Sequence, residues 1–493
     1  MHRSIPHIFR KNLIKNPNMN MLGVKKGNKW EWTNREKLNN MINYSIVVLK
    51  DRNVNKGDRV IYKGKNSVEW VSWNIATHSL GAIWVPLYSN QKEDYCRHIV
   101  NDCKPKVLIS DDDIKYTDME FISNKIENIN YKNEFNITDN DLCTFIYTSG
   151  TTGNPKGVML SHHNIISNIN SLDLRFKEFK GKELTSLNIL TWAHIYGLTT
   201  ELYYNLFNGN KVAICSGVDN FVSECREIKP NLLYLVPKVL VLIKDKLNFL
   251  DKPILRMFLP LVLNRLFGNN ILTIFMGGAK LDDNTKYFYL DNGINICEGY
   301  GCSETAPMVS VNHINFPRDI DSIGQILDNV AVNIVNNEIW VAGPNLMLGY
   351  WNDKEATNKV LVKEYGVTWY KTGDAGEQKG GFLYYKGRIS ENYKLTNGKF
   401  VNVNDIETQL KKYITNYFII YGEDKPYNIL IVEKPFDKKQ LDEINNSLDS
   451  YLKVKRILLV ESDVFADFLT PKMSIQRKKL VKSLENEINE IYK

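Results

Sequence analysis

The sequence lacks the marks of a secreted or membrane-spanning chain. No apolar run reaches the ~20 residues that a spanning helix needs. The nearest, Pro253 to Phe267, is cut by Arg256, Pro260 and Arg265, and it reads as a core helix in preference to one lying on a surface. Cysteine is scarce: seven residues, an odd number, with no Cys-x-x-Cys spacing and no secretory signal. Neither a disulfide frame nor a zinc site follows, and reduced thiols in a cytoplasmic setting are expected. Acidic residues are missing from the first thirty positions, but Pro6 and Pro17 interrupt any continuous amphipathic helix there, so a transit peptide is not favoured. No repeat period is visible. Charge of one sign is also lacking: 63 basic against 56 acidic residues leaves +7, which gives no argument for a nucleic-acid partner.

What is present is a chain of 493 residues with 43% hydrophobic and 24% charged residues. At ~100 to 200 residues per domain this implies more than one domain. Short β-rich runs at Arg59 to Tyr62, Lys106 to Ile109, Cys143 to Tyr147, Lys211 to Cys215 and Ile271 to Phe275 alternate with helical patterns, which predicts parallel sheets with crossover helices. Between Ile323 and Trp340 close-set strands broken by Asp328-Asn329 and Asn336-Asn337 predict a smaller antiparallel subdomain. The polar stretch from Lys115 to Asn140 reads as surface connection. A domain boundary is placed near Ser390.

The strongest motif is YTSGTTGNPKGV, from Tyr147 to Val158. Glycines and hydroxyl residues in one tight loop let backbone N–H groups and hydroxyls close around phosphate oxygens, and Lys156 adds a positive charge. The spacing is not that of a Walker A loop. Taken alone, such a loop could also be a plain flexible turn. In EGYGCSET, from Glu298, the Tyr300 ring could stack on a purine or simply pack, and Glu304 is a natural oxygen donor to a hard Mg²⁺. Asp374 in YKTGDAG is suited to accept hydrogen bonds from ribose hydroxyls, although an isolated TGD is more often a turn. His194 in AHIYGL is by default a core histidine.

These strings, with VPLY at Val85, MGGAK at Met276, EIWVAGPNLMLGYW at Glu338 and GRISENYKLTNGKFV at Gly387, closely resemble the ordered motifs of the acyl-adenylate-forming enzymes. YKLTNGKFV and LTPKMSIQR look most like the long-chain fatty acyl-CoA synthetase branch. The resemblance implies an α/β fold. Residues 1–389 would form a large N-terminal adenylation domain of two doubly wound sheets and a small β-barrel-like subdomain. Residues 390–493 would form a small mobile α+β domain that turns about Ser390. It implies ATP, Mg²⁺ and CoA as cofactors. Thr148, Ser149, Gly150, Thr151, Thr152, Gly153 and Lys156 would grip phosphate. Gly277, Gly278, Ala279, Tyr300 and Gly301 would bound the adenine. Ser303 would lie beside the α-phosphate, Asp374 and Arg388 at the ribose, and Glu304 with Thr148 on Mg²⁺. His194 and Leu198 would line the acyl site.

One position departs from the family. The long-chain branch writes the C-terminal loop as LTPTxKxKR, whose catalytic lysine stabilises charge during attack on the α-phosphate. Here the loop is LTPKMSIQR, from Leu469 to Arg477. Ser474 falls where the lysine belongs, and Lys472 is the nearest substitute because residues two apart in an extended segment share a face. Ser390 stands where relatives usually carry Asp or Lys. The reading implied is an AMP-forming acyl-CoA synthetase: fatty acid plus ATP gives acyl-AMP and pyrophosphate, and CoA then displaces AMP. Its rivals are a degenerate relative that binds ATP or acyl ligand without full turnover, and acyl transfer to a carrier protein or amine. Thr148, Lys156, Glu304, Lys472 and Ser474 are the catalytic candidates. Partners are a fatty acid or other aliphatic carboxylic acid and CoA, with peripheral membrane contact as an option.

Overall fold

The computed structural model describes residues 4–111, 121–122, 137–148, 155–250, 253–414, 416–461, 463–469 and 475–493. Most of the 115–140 stretch therefore lies outside the described residues. Two sheets dominate. The first has seven strands, with Leu142–Thr148, Ile83–Leu87, Arg59–Lys63, Val107–Ser110 and Phe121–Ile122 adjacent and parallel in that order. Ile83–Leu87 is buried along its whole length. This is the near-continuous apolar run expected of a strand covered on both faces. Helices Val68–Ser79 and Glu93–Cys103 make the crossovers, the first capped by the Ser67 side chain accepting from Trp70 N–H. Lys156–Ser161 adds to the sheet antiparallel to Leu142–Thr148, with Thr148 opposite Lys156. Gly349–Tyr350 closes that edge.

The second sheet has fourteen strands. One half is parallel, built on Asn20–Lys26, Lys211–Ile214, Thr185–Asn188, Leu232–Leu235, Thr273–Met276 and Ile296–Gly301. Ile296–Gly301 then pairs antiparallel with Met308–Val311, and the sheet continues antiparallel through Gln325–Ile326, Phe382–Arg388, Val367–Lys379, Glu338–Ala342 and Ala331–Val335. The antiparallel subdomain thus grows out of the parallel sheet at the strand that carries EGYG. Two glycines are required at this junction. A Cβ on Gly301 would lie 1.8 Å from the Pro307 carbonyl oxygen, and one on Gly299 would lie 3.0 Å from that of Ser310.

Beyond Ser390 the chain forms a three-stranded sheet of Phe418–Tyr421, Asn428–Val432 and Val454–Leu459, with hydrophobic clusters of its own around Ile406, Leu430 and Phe465. The run from Pro253 becomes two short helices, Pro253–Arg256 and Leu259–Leu266. Leu259, Leu263 and Phe267 are buried, whereas Met257, Phe258 and Leu261 are exposed, so only one face belongs to the core. No helix among the described residues is long and apolar enough to cross a membrane.

Candidate active site

The two sheets bring the separated motifs together. Lys156, opposite Thr148 at the start of its strand, places Nζ 3.3 Å from Asp353 Oδ2 and 5.3 Å from the Tyr350 ring centre. Tyr350 Oη donates to Glu304 Oε1 at 2.8 Å. The phosphate-loop lysine and the proposed magnesium carboxylate are therefore bridged by one tyrosine. Asp353 also caps helix Lys354–Val360, and the backbone N–H of Ala356 followed by Lys156 holds its carboxyl below the usual range. Ser149 to Gly153 lie outside the described residues.

Ser303 and Glu304 sit in a short 3₁₀ turn, Ser303–Thr305, fixed by the Cys302 N–H donating to Thr305 Oγ1. Ser303 Oγ is buried with no hydrogen-bond partner among the described residues. An unpaired buried hydroxyl costs free energy, and a phosphate oxygen would satisfy it. Mg²⁺ suits the same corner. It binds through one or two carboxylates with waters and phosphate oxygens, and Glu304 with Thr148 offers a donor set of that kind.

Asp374 lies within Val367–Lys379, an inner strand of the antiparallel half, opposite Arg388 on the neighbouring strand. It accepts from Tyr300 Oη at 2.6 Å and meets Arg388 Nε at 3.0 Å, while Arg388 also donates to the Thr372 carbonyl. Burial pushes the Asp374 carboxyl above its usual range, partly countered by Arg388 and then Tyr300. Tyr300 is thus a hydroxyl partner of the ribose candidate, with its ring 6.2 Å from that of Tyr385. Gly278 has φ +85°, and a Cβ on Gly277 would meet the Tyr196 ring at 3.0 Å. Ala279 follows them in the same turn.

His194 accepts from Tyr196 N–H through Nδ1 at 3.2 Å, and its carbonyl accepts from Leu198 N–H. His194 precedes and Leu198 lies in the first turn of the π-helix Tyr196–Tyr203, an uncommon element that is frequent at functional sites. Since the Tyr196 ring faces Gly277, the acyl and nucleotide candidates meet there. His162 is buried and His163 exposed, and neither takes part in this cluster.

Several contributors were given no role by the sequence, although Tyr350 and Arg477 lie inside the EIWVAGPNLMLGYW and LTPKMSIQR strings. Tyr350 and Asp353 sit in the GYWND run, which has no distinctive chemistry until Lys156 and Glu304 flank it. Arg477 Nη2 reaches both Glu407 oxygens, at 2.5 and 2.6 Å, and Arg477 Nε lies 3.5 Å from Glu391 in the turn that holds Ser390. Lys472 and Ser474 lie outside the described residues, between Leu469 and Ile475, which pair antiparallel.

The profile of the family described as AMP-binding enzyme matches residues 9–351. Long-chain-fatty-acid--CoA ligase FadD15 of Mycobacterium tuberculosis is 24% identical over 460 residues, covering 79% of this chain and 75% of that protein. Long-chain-fatty-acid--CoA ligase ACSBG1 of Homo sapiens is 25% identical, covering 90% and 72%. Among solved structures, O-succinylbenzoate Coenzyme A Synthetase (MenE) from Bacillus subtilis, in complex with ATP and magnesium ion, aligns with a TM-score of 0.80 at 20% identity. That alignment covers 97% of this chain and all of that one. The anthranilate CoA ligase AuaEII aligns at 0.78 with 18% identity, covering 98% and 97%. The structural likenesses speak for the fold, and the profile, spanning more than half of the sequence, settles the family: the chain belongs to the AMP-binding enzymes.

Proposed function

We propose that this enzyme is an AMP-forming acyl-CoA synthetase acting on a fatty or other aliphatic carboxylic acid. The observation that carries the reading is the bridge from Lys156 through Tyr350 to Glu304, with Asp374 and Arg388 at one end and the His194–Tyr196 turn at the other. ATP would lie with its phosphates toward Lys156 and Ser303 and its ribose on Asp374. Mg²⁺ on Glu304 and Thr148 would neutralise phosphate charge. The protein's part is to orient the carboxylate for in-line attack and to place donors where charge develops. CoA would then displace AMP after residues 390–493 turn about Ser390. The names of the curated relatives support this acceptor. Exposed Met257, Phe258 and Leu261 beside Arg256 and Arg265 support contact with an anionic membrane surface.

Pyrophosphate exchange over a panel of carboxylic acids, followed by CoA addition, tests the reading. Acid-dependent exchange and CoA-dependent AMP release are expected. Exchange strongest with an amino acid would refute the substrate class. The second reading, a nucleotide- and acyl-binding protein without full turnover, is favoured by Ser474 alone, and it requires no exchange with any acid while Mg-ATP still binds.

A further inference from the structure

Helix Glu93–Cys103 carries two polar side chains, His98 and Asp102, four residues apart and therefore on one face. Each reaches one of the two strands that bracket the phosphate loop. On the entry side Tyr147, the residue before Thr148, donates from Oη to Asp102 Oδ2 at 2.6 Å. On the exit side His98 Nε2 donates to the carbonyl of Pro155, the residue before Lys156, at 3.0 Å. Thr148 and Lys156 face each other across the two strands. One helix face thus holds the chain next to both.

Asp102 also holds the GYWND run. Its Oδ1 accepts from Asn352 Nδ2 at 3.2 Å, and its carbonyl accepts from Asn352 Nδ2 at 3.1 Å and from Trp351 Nε1 at 3.2 Å. These two residues lie between Tyr350, which donates to Glu304, and Asp353, which pairs with Lys156. Gly157 completes the contact. The Trp351 N–H donates to its carbonyl at 2.8 Å, and a Cβ on it would lie 3.0 Å from the Tyr147 ring. The Tyr147 phenol therefore lies against Gly157, its partner in the strand pair, on the way to Asp102. An acidic side chain in the last turn of a helix opposes the helix dipole, and no basic residue in that turn offsets it. The buried face of the helix is supplied by Cys96, Ile99 and Cys103, so packing does not call for Asp102. A residue that breaks a local rule where it stands points to a gain elsewhere, and here the gain is the connection between the phosphate strands and the GYWND run.

Resting on the synthetase reading, in which Thr148 and Lys156 hold ATP phosphates, we propose that His98 and Asp102 are positioning residues of the phosphate site. They act through Pro155, Tyr147 and residues 351–352, which they hold in place before ATP arrives. Preorganised groups need no rearrangement when charge reaches them, and the ordering of these strand ends takes place on folding and not on binding. The ribose side does not depend on this helix, because Asp374 and Arg388 lie in the antiparallel half of the other sheet. Loss of either side chain should therefore fall on the phosphates and spare AMP, which keeps the adenine, the ribose and one phosphate.

The test is calorimetry on the full chain with Mg-ATP and, separately, with AMP. His98→Ala and Asp102→Ala should each weaken Mg-ATP by about three- to ten-fold, the scale of one lost hydrogen bond, and change AMP by less than about two-fold. His98→Gln keeps a donor and Asp102→Asn keeps an acceptor, so both should retain most of the Mg-ATP affinity. If an alanine variant fails to fold, Tyr147→Phe, which removes only the hydroxyl that meets Asp102, and His98→Phe, which keeps a ring and loses the donor, carry the same expectation. Equal weakening of Mg-ATP and AMP would overturn the proposal, since the helix would then serve the fold alone. So would unchanged Mg-ATP affinity in either alanine variant, or conservative variants as weak as the alanine ones; each of these leaves the synthetase reading intact. A wild-type chain that binds neither Mg-ATP nor AMP would overturn that reading as well.

Discussion

Asp374 shows how much a single residue can reveal. Its TGD setting suggested a ribose carboxylate, and its burial beside Tyr300 and Arg388 explains why it can be held ready without solvent. Replacing Asp374 with Ala should weaken Mg-ATP binding by ~1 to 3 kcal/mol, the scale for hydrogen bonds to a charged acceptor, as measured by calorimetry. Ser474 poses the sharper question. If it occupies the catalytic lysine's place, Ser474→Lys should raise the acyl-AMP rate by ~100-fold, the scale of one transition-state contact. If Lys472 has taken over, Lys472→Ala should abolish adenylation and Ser474→Lys should change little. Single-turnover adenylation decides between them. What the sequence could not show at this scale was partnership. Tyr350 is one aromatic among many until the fold puts its hydroxyl on Glu304 and its ring beside Lys156.

At the scale of elements, period and turn chemistry were legible because parallel strands are apolar throughout. The five β-rich runs all coincide with or overlap strands. The apolar cluster around Tyr196, Tyr234 and Phe275 was not legible, since its members come from elements far apart in sequence and from residue types that fill any core. The Pro253 run misled for a related reason: apolar content does not reveal which face is covered. Its exposed side should bind vesicles containing anionic lipid and not neutral ones, and Phe258→Ser with Leu261→Ser should abolish sedimentation with them, leaving exchange on a soluble acid unchanged. The helix Ile5–Lys15 is tied to the first sheet's layer through Ile5 N–H donating to His162 Nδ1. Burial lowers the His162 pKa to about 3, with Asp141 and Asp139 opposing and His7 and Lys56 assisting the shift. His78, with its ring 5.4 Å away, is lowered by burial too. Both are neutral when folded and protonate when unfolded, so the unfolded chain binds more protons below the ordinary histidine range. Stability should therefore fall as pH drops below about 6.5, by about 1.4 kcal/mol per pH unit from His162 down to about 3, with His78 adding a loss of the same sign. His162→Gln should flatten that slope in urea titrations.

The whole molecule depends on two half-reactions sharing one site, and Arg477 lies where they would be coupled. Its bidentate pair with Glu407 is internal to the C-terminal part, since Glu407 lies on helix Val403–Leu410. Burial would lower the Arg477 pKa, but Glu407 and then Glu391 more than reverse this. The contact with Glu391 reaches the turn Ile389–Glu391 that holds Ser390, and Glu391 lies three residues beyond the ribose-side candidate Arg388. Glu391 also follows Ser390 in the chain, so a rotation about Ser390 would carry both pairs along with Arg477. Breaking this part-buried pair with Glu407→Gln should cost ~1.5 to 3 kcal/mol, the scale for hydrogen bonds to charged groups, and appear as a lower melting temperature with both half-reactions reduced. Glu391→Gln removes a partly exposed contact worth ~0 to 1 kcal/mol, so melting should barely change. The ratio of adenylation to thioester formation from pre-made acyl-AMP should stay within about two-fold of wild type, because the contact moves with the turning part. Arg477→Lys, which keeps the charge but loses the fork, should lower stability, again without moving that ratio. A large change in that ratio with Glu391→Gln would mean that the pivot lies beyond Glu391 and that the contact differs between the two arrangements.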